Sequence, residues 1–277
     1  MSLRNIYYSL SPGMRLFARR AYYFPIDLFN SIARKRHRYE PPKGKIFIGS
    51  GDFIKQGQLQ LHLLKEHASL QANHDVLDIG SGMGRTAAAL TTFFSQQGSY
   101  NGFDIMKNAV QWCNKRIGHD FPNFHFTHIP LGNDLYNSTK TAGEMFRFPY
   151  DDNSFNVSFL FSVFSHMLPA EVENYLSEIH RTLKPNGKCL ATFFIYEHDN
   201  DFLHKLPEDR FRFPVNKGNY RLMNEKVKSA NVAYQHNFLQ RMILSAGLKT
   251  EKIIDGYWKD EKKQNNDFQD IVVLEKA

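Results

Sequence analysis

The most informative segment of this sequence reads Val76-Leu77-Asp78-Ile79-Gly80-Ser81-Gly82-Met83-Gly84-Arg85. The pattern predicts an apolar strand, then a loop with glycine at alternate positions, and then a helix. Glycine adopts backbone angles that are closed to other residues and lets a ligand approach the main chain closely. The first turn of the helix adds unpaired N–H groups and positive potential. We therefore expect a ligand cradle at the carboxyl end of this strand, where open parallel sheets bind their ligands.

The glycine spacing narrows the class of ligand. It is GxGxG, whereas dinucleotide-binding enzymes carry GxGxxG. Asp78, two residues before the first glycine, also departs from the usual NAD pattern. The spacing therefore disfavours an NAD-dependent oxidoreductase. A glycine loop by itself is also compatible with a tight strand–helix turn that holds no ligand.

A second acidic residue ends the next predicted strand, residues 99–104. Asp104 lies twenty residues after Gly84, and a carboxylate at this place can accept hydrogen bonds from both hydroxyls of a ribose. Taken alone, Asp104 is as readily explained as a helix N-cap or a solvated acid. Together with the glycine loop, it indicates an adenosyl cofactor.

Strand and helix patterns alternate along the chain after residue 75. The predicted strands are 75–79, 99–104, 123–129, 154–162, 188–195, 250–258 and 267–275, and the predicted helices are 85–97, 108–117, 169–183 and 237–246. Alternation of this kind predicts an α/β fold with a parallel sheet that is covered by helices on both faces.

The composition limits the kinds of site and setting. The 277 residues are 42% hydrophobic and include two cysteines, Cys113 and Cys189, without CxxC spacing. A disulfide framework and a zinc–thiolate site are therefore disfavoured, no metal is predicted, and a reducing, cytoplasmic setting is favoured. No apolar run approaches the roughly 20 residues that are needed to span a bilayer.

Residues 1–45 differ in charge from the rest of the chain. They carry ten Lys or Arg residues and two acidic ones, a net charge of +8, whereas the remainder carries 25 basic and 26 acidic residues. We expect a basic, aromatic-rich N-terminal extension over 1–45, with short helices at 14–23 and 26–36, followed by one domain over 46–277. The extension suits a flap packed on the body or, second, a peripheral membrane contact. Nucleic acid is disfavoured because no recognisable binding module accompanies the arginines.

Two further motifs complete an ordered set: Phe148-Pro149-Tyr150-Asp151-Asp152-Asn153-Ser154-Phe155-Asn156 and Leu183-Lys184-Pro185-Asn186-Gly187-Lys188. With VLDIGSGMG, GFD, FPYDDNSFN and LKPNGK in this order, residues 47–275 resemble the class I S-adenosylmethionine-dependent methyltransferases. Ser81 stands where that family commonly has Cys, and Asn156 where Asp is common. The resemblance implies a Rossmann-like, doubly wound α/β fold, in which a mostly parallel seven-stranded sheet ends in a C-terminal antiparallel strand.

The resemblance also implies a site for S-adenosyl-L-methionine. Its glycine loop would wrap the methionine part, Asp104 would take the ribose hydroxyls, and Ile105 would pack on the adenine. Asp78 would help to hold the ammonium group, and Phe161 and Ser162 would close the methionine side. The implied binding residues are Asp78, Gly80, Ser81, Gly82, Gly84, Asp104, Ile105, Phe161 and Ser162.

The contact to the adenine edge is left unassigned because residues 131–143 look like an insertion. Read forward from the third strand, that contact falls near Ile129. Read backward from Phe148, it falls at Glu144 or Met145.

The acceptor is less well defined than the cofactor. His166, after the fourth strand, is the candidate catalytic base, with a purely structural role as the alternative. Residues 160–164 contain no N/D-P-P-Y tetrapeptide, which argues against nucleobase amino methylation. Residues 47–53 could fold over the cofactor. An insertion around 198–236 could cap the acceptor, although its aromatic residues also suit ordinary core packing.

A looser likeness to bacterial small-molecule and glycan methyltransferases implies methylation of a hydroxyl group. Two alternatives stay open. One is an RNA or protein methyltransferase that uses the basic N-terminal segment as a docking arm. The other is a protein that binds S-adenosylmethionine without catalysis.

Overall fold

The computed structural model describes residues 12–33, 35–46, 51–132, 143–198, 212–258 and 267–277. The strands are β1 Asp75–Ile79, β2 Ser99–Asp104, β3 Phe124–His128, β4 Phe155–Leu160, β5 Leu183–Tyr196, β6 Val215–Asn216, β7 Tyr220–Leu222, β8 Val232–Gln235, β9 Leu248–Ile254 and β10 Asp270–Lys276. The helices are α1 Pro12–Ile32, α2 Phe53–His67, α3 Arg85–Leu90, α4 Lys107–Cys113, α5 Pro169–Thr182 and α6 His236–Ser245.

The central sheet has the strand order β3-β2-β1-β4-β5, and β10 and then β9 continue it beyond β5. Strands β1 to β5 run parallel, whereas β10 is antiparallel to both of its neighbours. The predicted Rossmann-like sheet with a C-terminal antiparallel strand is confirmed. Strands β8, β7 and β6 add an extension that the sequence pattern did not predict, and the described residues therefore form ten strands.

The extension exists because β5 is long. Its 14 residues first pair with β4 and β10, and its last three, Phe194 to Tyr196, pair with β8. Strand β8 then pairs with β7, and β7 with β6, both antiparallel. A single strand thus belongs to the central sheet and to the extension.

The two faces of the sheet carry separate hydrophobic cores. Alternation along β1 sends Leu77 and Ile79 to one core and Val76 to the other. The first core includes Leu176 of α5, whereas the second includes Leu64 of α2 and residues of α3 and α4. Helices therefore cover both faces, as the strand–helix alternation predicts.

Two helices differ in length from the prediction. Helix α3 ends at Leu90 and not at residue 97, because Thr91 and Thr92 turn their hydroxyls back onto the carbonyls of Ala88 and Ala89. Helix α4 ends at Cys113, and a π-helical turn over Asn114–Gly118 continues it.

The N-terminal prediction of two short helices, 14–23 and 26–36, is wrong. The chain forms one helix, α1, with Pro25 inside it. Proline removes the hydrogen bond to the carbonyl four residues earlier, that of Ala21. Both residues are exposed, so water can bond this carbonyl and the helix continues.

Candidate active site

A cavity of about 210 Å³ lies at the carboxyl ends of β1, β2 and β4. This is where the strand order of the sheet reverses, the usual ligand position in open α/β sheets. The cavity brings together nearly all of the predicted site residues: Asp78, Gly80, Ser81, Gly82, Asp104, Ile105, Phe161, Ser162 and His166.

Gly84 is the exception, because it does not line the cavity. Its φ is +78°, and a Cβ there would lie 2.9 Å from Cys113 Sγ and 3.0 Å from Ile117 Cδ1. The third glycine of the loop therefore permits a left-handed turn and close packing of α3 against α4. Nothing in its position makes it a ligand contact.

The glycine loop is held through its backbone. The N–H groups of Gly80 and Ser81 both donate to the carbonyl of Phe103, at 2.9 and 3.0 Å. Gly80 and Gly82 have φ values of +80° and +52°, and a Cβ on Gly82 would meet no atom within 4 Å. The main chain at Gly82 is therefore open to a ligand.

Asp104 fastens the loop to the end of β2. Its Oδ2 accepts from Gly82 N at 2.8 Å, and its Oδ1 accepts from Met106 N at 2.7 Å. Burial raises the pKa of Asp104, and the two backbone hydrogen bonds oppose that rise. Each carboxylate oxygen keeps a second lone pair, so the group can still accept from two hydroxyls of a ligand.

Asp78 is buried behind the loop. Tyr100 donates its hydroxyl proton to Asp78 Oδ2 at 2.6 Å, and burial raises the pKa of Asp78 to about 7. Gly102 makes room for this pair, because a Cβ there would lie 2.6 Å from the Tyr100 hydroxyl and 2.9 Å from Ser81 Cβ. The contribution of Tyr100 was missed from sequence, where only the glycine and the acid of the GFD motif stood out.

Ser162 joins three strands at the rim of the cavity. Its φ is +58°, and its N–H donates to Thr192 Oγ1 at 2.7 Å. The hydroxyls of Ser162 and Thr192 both donate to Gln269 Oε1, at 2.9 and 2.8 Å. Strands β4 and β5 are thereby tied to the residue before β10, a link that no local motif indicates.

His166 also lines the cavity, in a 3-10 turn over Phe164–His166. Its Nδ1 is 2.8 Å from the carbonyl oxygen of Ser229. A carbonyl can only accept, so Nδ1 must carry the proton, and in the neutral ring the lone pair is on Nε2. Glu171 also lines the cavity, and its Oε2 accepts a hydrogen bond from Leu168 N at 2.8 Å.

Helix α2 lines part of the cavity, and the sequence indicated only its first residue as a neighbour of the cofactor. Phe53 was expected near the cofactor, and it does line the cavity; residues 47–50 lie outside the described residues. Asp52 caps the helix by accepting from the N–H groups of Ile54 and Lys55. The Arg85 guanidinium lies 5.4 Å from the Phe53 ring centroid. Further cavity residues missed from sequence are Lys45, Ile46, Gln60, Thr86 and Tyr175.

The described part of the 198–236 insertion packs into the fold. Phe213 is fully buried against Phe194 and Trp258, and Tyr234 is fully buried beside Phe193. These aromatic residues are core, the alternative that the sequence left open. Three other residues of the proposed cap, Phe202, Arg210 and Phe211, lie outside the described residues.

The three candidates for the adenine edge do not line the cavity. Ile129 is buried in a core cluster, Glu144 is exposed, and 92% of Met145 is exposed. Leu131, Gly132 and Gly143 do line it, and residues 133–142 between them lie outside the described residues.

The polar groups of the cavity fit an adenosyl cofactor. Ser81 Oγ is buried and has no hydrogen-bond partner among the described residues, which is costly unless a ligand supplies one. The backbone at Gly82 faces open space, and Asp104 has acceptor capacity for a ribose. The glycine loop can thus hold the methionine part, and Asp104 next to it can hold the ribose.

A family model described as a methyltransferase domain matches residues 77–191. Among solved structures, PH0226 protein from Pyrococcus horikoshii aligns with a TM-score of 0.57 at 15% identity, over 84% of this chain and 95% of its own. A 1,6-didemethyltoxoflavin-N1-methyltransferase from Burkholderia thailandensis, solved with S-adenosylhomocysteine, gives 0.50 at 14% identity, over 81% and 78%.

The [4+2]-cyclase SpnF gives a TM-score of 0.53 at 15% identity and covers 94% of this chain and 95% of its own. At such identities the likeness shows the fold, which by itself does not determine a reaction. The methyltransferase-domain match covers the glycine loop and the segment around His166. It indicates the reaction, which the fold alone leaves open. The chain is therefore an enzyme with a methyltransferase domain over residues 77–191, and S-adenosylmethionine is its cofactor.

Proposed function

We propose that the enzyme methylates a hydroxyl group of a small molecule or a glycan, with His166 as the general base. One observation carries the proposal. His166 shares a cavity with the glycine loop and Asp104, and its bond to the Ser229 carbonyl leaves the lone pair of the neutral ring on Nε2. A histidine is thereby placed in the same cavity as the predicted cofactor site.

Binding of the cofactor would rest on the loop and on β2. Gly80, Ser81 and Gly82 would surround the methionine part, which would supply the hydrogen bond that the Ser81 hydroxyl lacks among the described residues. Asp104 accepts the ribose hydroxyls, and Ile105 packs on the adenine. Phe161 and Ser162 close the methionine side, while Asp78 supports the ammonium group from behind the loop. Gly84 acts indirectly, by allowing the turn into α3.

The bound cofactor supplies an electrophilic methyl group on a sulfonium. The cavity would hold the acceptor next to the cofactor, which would turn an encounter of two molecules into a local reaction. A neutral hydroxyl must lose its proton as its oxygen forms the new bond, and His166 Nε2 accepts this proton. Glu171 supports the arrangement, because its bond to Leu168 N holds the chain that follows His166.

The choice of a hydroxyl acceptor rests on the residues around this base. The segment after β4 reads Phe161-Ser162-Val163-Phe164, without the proline-containing tetrapeptide that binds a planar amine.

Three statements remain predictions from sequence: the domain limits of 46–277, the separate extension over 1–45 and the cytoplasmic setting.

The test is a methyl-transfer screen with the full chain. Release of S-adenosylhomocysteine is measured with hydroxylated small molecules, with glycans and, separately, with RNA and protein acceptors. We expect turnover on a hydroxylated compound, and none at the same position of its deoxy analogue, which has no oxygen to accept the methyl group. Mass spectrometry and NMR then locate the methyl group. Turnover confined to RNA, protein or an amine would contradict the proposal.

A further inference from the structure

Helix α1 is amphipathic, but most of its large apolar side chains are exposed, whereas its more buried side is mostly polar. Besides Leu16, its buried or half-buried side chains recur every three or four residues: Arg15, Arg19, Tyr23, Asp27 and Asn30. Asp27, on this mostly polar side, contacts the Lys43–Lys45 turn. The opposite side consists of large exposed apolar side chains, which we call the apolar face of α1: Met14, Phe17, Tyr22, Phe24, Leu28, Phe29 and Ile32.

Polar contacts fix this orientation. Asp27 accepts from the backbone N–H groups of Lys43 and Gly44, at 2.7 and 2.9 Å. Gly44 also allows a close approach, because a Cβ there would lie 3.1 Å from Arg20 Cα. The helix is therefore attached to the Lys43–Lys45 turn through its polar side. A flap that buries its aromatic residues against the body would need the reverse orientation.

The apolar face is an interaction surface. Phe17, Tyr22 and Ile32 are each 75% exposed, and no α1 residue belongs to a core cluster of the described residues. Exposed apolar residues that are scattered singly are ordinary, whereas a contiguous row on one helix marks a binding surface. In the part of the chain that the structure describes, nothing buries this row.

The charge around the apolar face selects its partner. Residues 1–45 have a net charge of +8, and Arg20, Lys35 and Lys43 are exposed beside the helix. An apolar face with aromatic residues and flanking cations matches the boundary between acyl chains and anionic headgroups. A second copy of the chain would bring two segments of +8 together, and like charges across an interface oppose association.

We propose that α1 docks the enzyme on an anionic lipid bilayer, with the helix lying in the headgroup layer and its apolar face toward the acyl chains. No helix among the described residues combines the length and the hydropathy that crossing a membrane requires, which fits a helix that lies on the surface. Lys45, in the turn that holds α1, and Ile46, directly after it, line the active-site cavity. Docking would therefore bring the cavity close to the bilayer.

Vesicle flotation tests this proposal and needs no methyl acceptor, so it is independent of the proposed function. The full chain is mixed with phosphatidylcholine vesicles, or with vesicles in which about a third of the lipid is phosphatidylglycerol. We expect the protein to float with the anionic vesicles only, and binding to weaken at high salt because the charges are screened.

The variant Phe17→Ser/Phe24→Ser/Phe29→Ser removes three exposed side chains of the apolar face, of which Phe29 has one described contact, with Lys35 Nζ at 5.3 Å from its ring centroid. We expect its ratio of vesicle-bound to free protein to fall by at least about tenfold. The matched control is Met145→Ser/Leu244→Ser, which removes apolar side chains that are 92% and 64% exposed elsewhere on the surface and should float like the wild type. Unchanged S-adenosylmethionine affinity verifies that both variants are folded.

Three results would overturn the proposal. The wild type could remain free in the presence of anionic vesicles, or the triple variant could float as well as the wild type. Alternatively, sedimentation could show a dimer that the triple variant loses, without any vesicle binding. That last result would assign the apolar face to a second copy of the chain.

Discussion

The two sides of the cavity are built in different ways. On the cofactor side, which comprises Gly80–Gly82 and Asp104, backbone N–H groups make the contacts that hold the loop, to Phe103 and Asp104. On the acceptor side, a single imidazole is oriented by the carbonyl of Ser229, 63 residues further along the chain. Cofactor binding is therefore shared by several groups, whereas proton transfer on the acceptor side depends on His166. Single substitutions should reveal this contrast.

His166→Ala should have the largest effect. If His166 Nε2 takes the proton, turnover should fall by ~10²–10⁴-fold while the affinity for S-adenosylmethionine is retained. Steady-state kinetics at saturating acceptor, with calorimetry for the cofactor, measure the two quantities separately. His125→Ala, an exposed histidine on β3, serves as the control and should keep full turnover. A loss below about tenfold would return His166 to a structural role.

Asp104→Ala should have an intermediate effect on the other side of the cavity. Losing a charged hydrogen-bond acceptor should weaken cofactor binding by ~1–3 kcal/mol. The protein should also lose stability, because Gly82 N and Met106 N are left without their acceptor. Calorimetry and thermal unfolding measure these effects.

The control for Asp104 is Asp75→Ala at the opposite end of β1. Asp75 accepts from Ser99 Oγ and Lys184 Nζ, so its removal should lower stability without changing cofactor affinity. Equal affinity losses in both variants would mean that Asp104 acts only through the fold.

Asp78→Asn should have the smallest effect, and it should depend on pH. Burial raises the pKa of Asp78 from 3.8 to about 7. Between these values the folded protein keeps a proton that the unfolded chain has lost, so the free energy of unfolding falls as pH rises. The neutral Asn does not titrate. Without cofactor, the variant should gain stability relative to the wild type as the pH rises from 4 to 8. Denaturant titrations at both pH values measure the difference, and a constant difference would refute the assignment.

Local patterns in the sequence predicted the cofactor side well. Strand β1 was predicted to its end residues because apolar periodicity and glycines mark it, and Asp104 followed from its place at the end of β2. The role of Gly84 was not predictable in this way. Its need for space comes from Cys113 and Ile117, which approach it only after α4 has packed.

The acceptor side depends on contacts between distant residues. The pairing of His166 with Ser229 joins segments that no motif connects. Phe213 and Tyr234 looked like candidates for an acceptor cap, and the burial that makes them core arises only when β8 joins β5. The same limit applies to α1, since the sequence shows its amphipathic pattern but not which side meets the body.

Strand β10 follows β9 in the chain but lies between β5 and β9 in the sheet. During synthesis, each of β2 to β5 can pair with a strand that has already left the ribosome, whereas β9, within the described residues, has no earlier neighbour. Gln269, which ties Ser162 to Thr192, emerges together with β10. The nascent chain therefore acquires its glycine loop early and the rim of its cavity late, so a cofactor that binds during translation would meet an unfinished site.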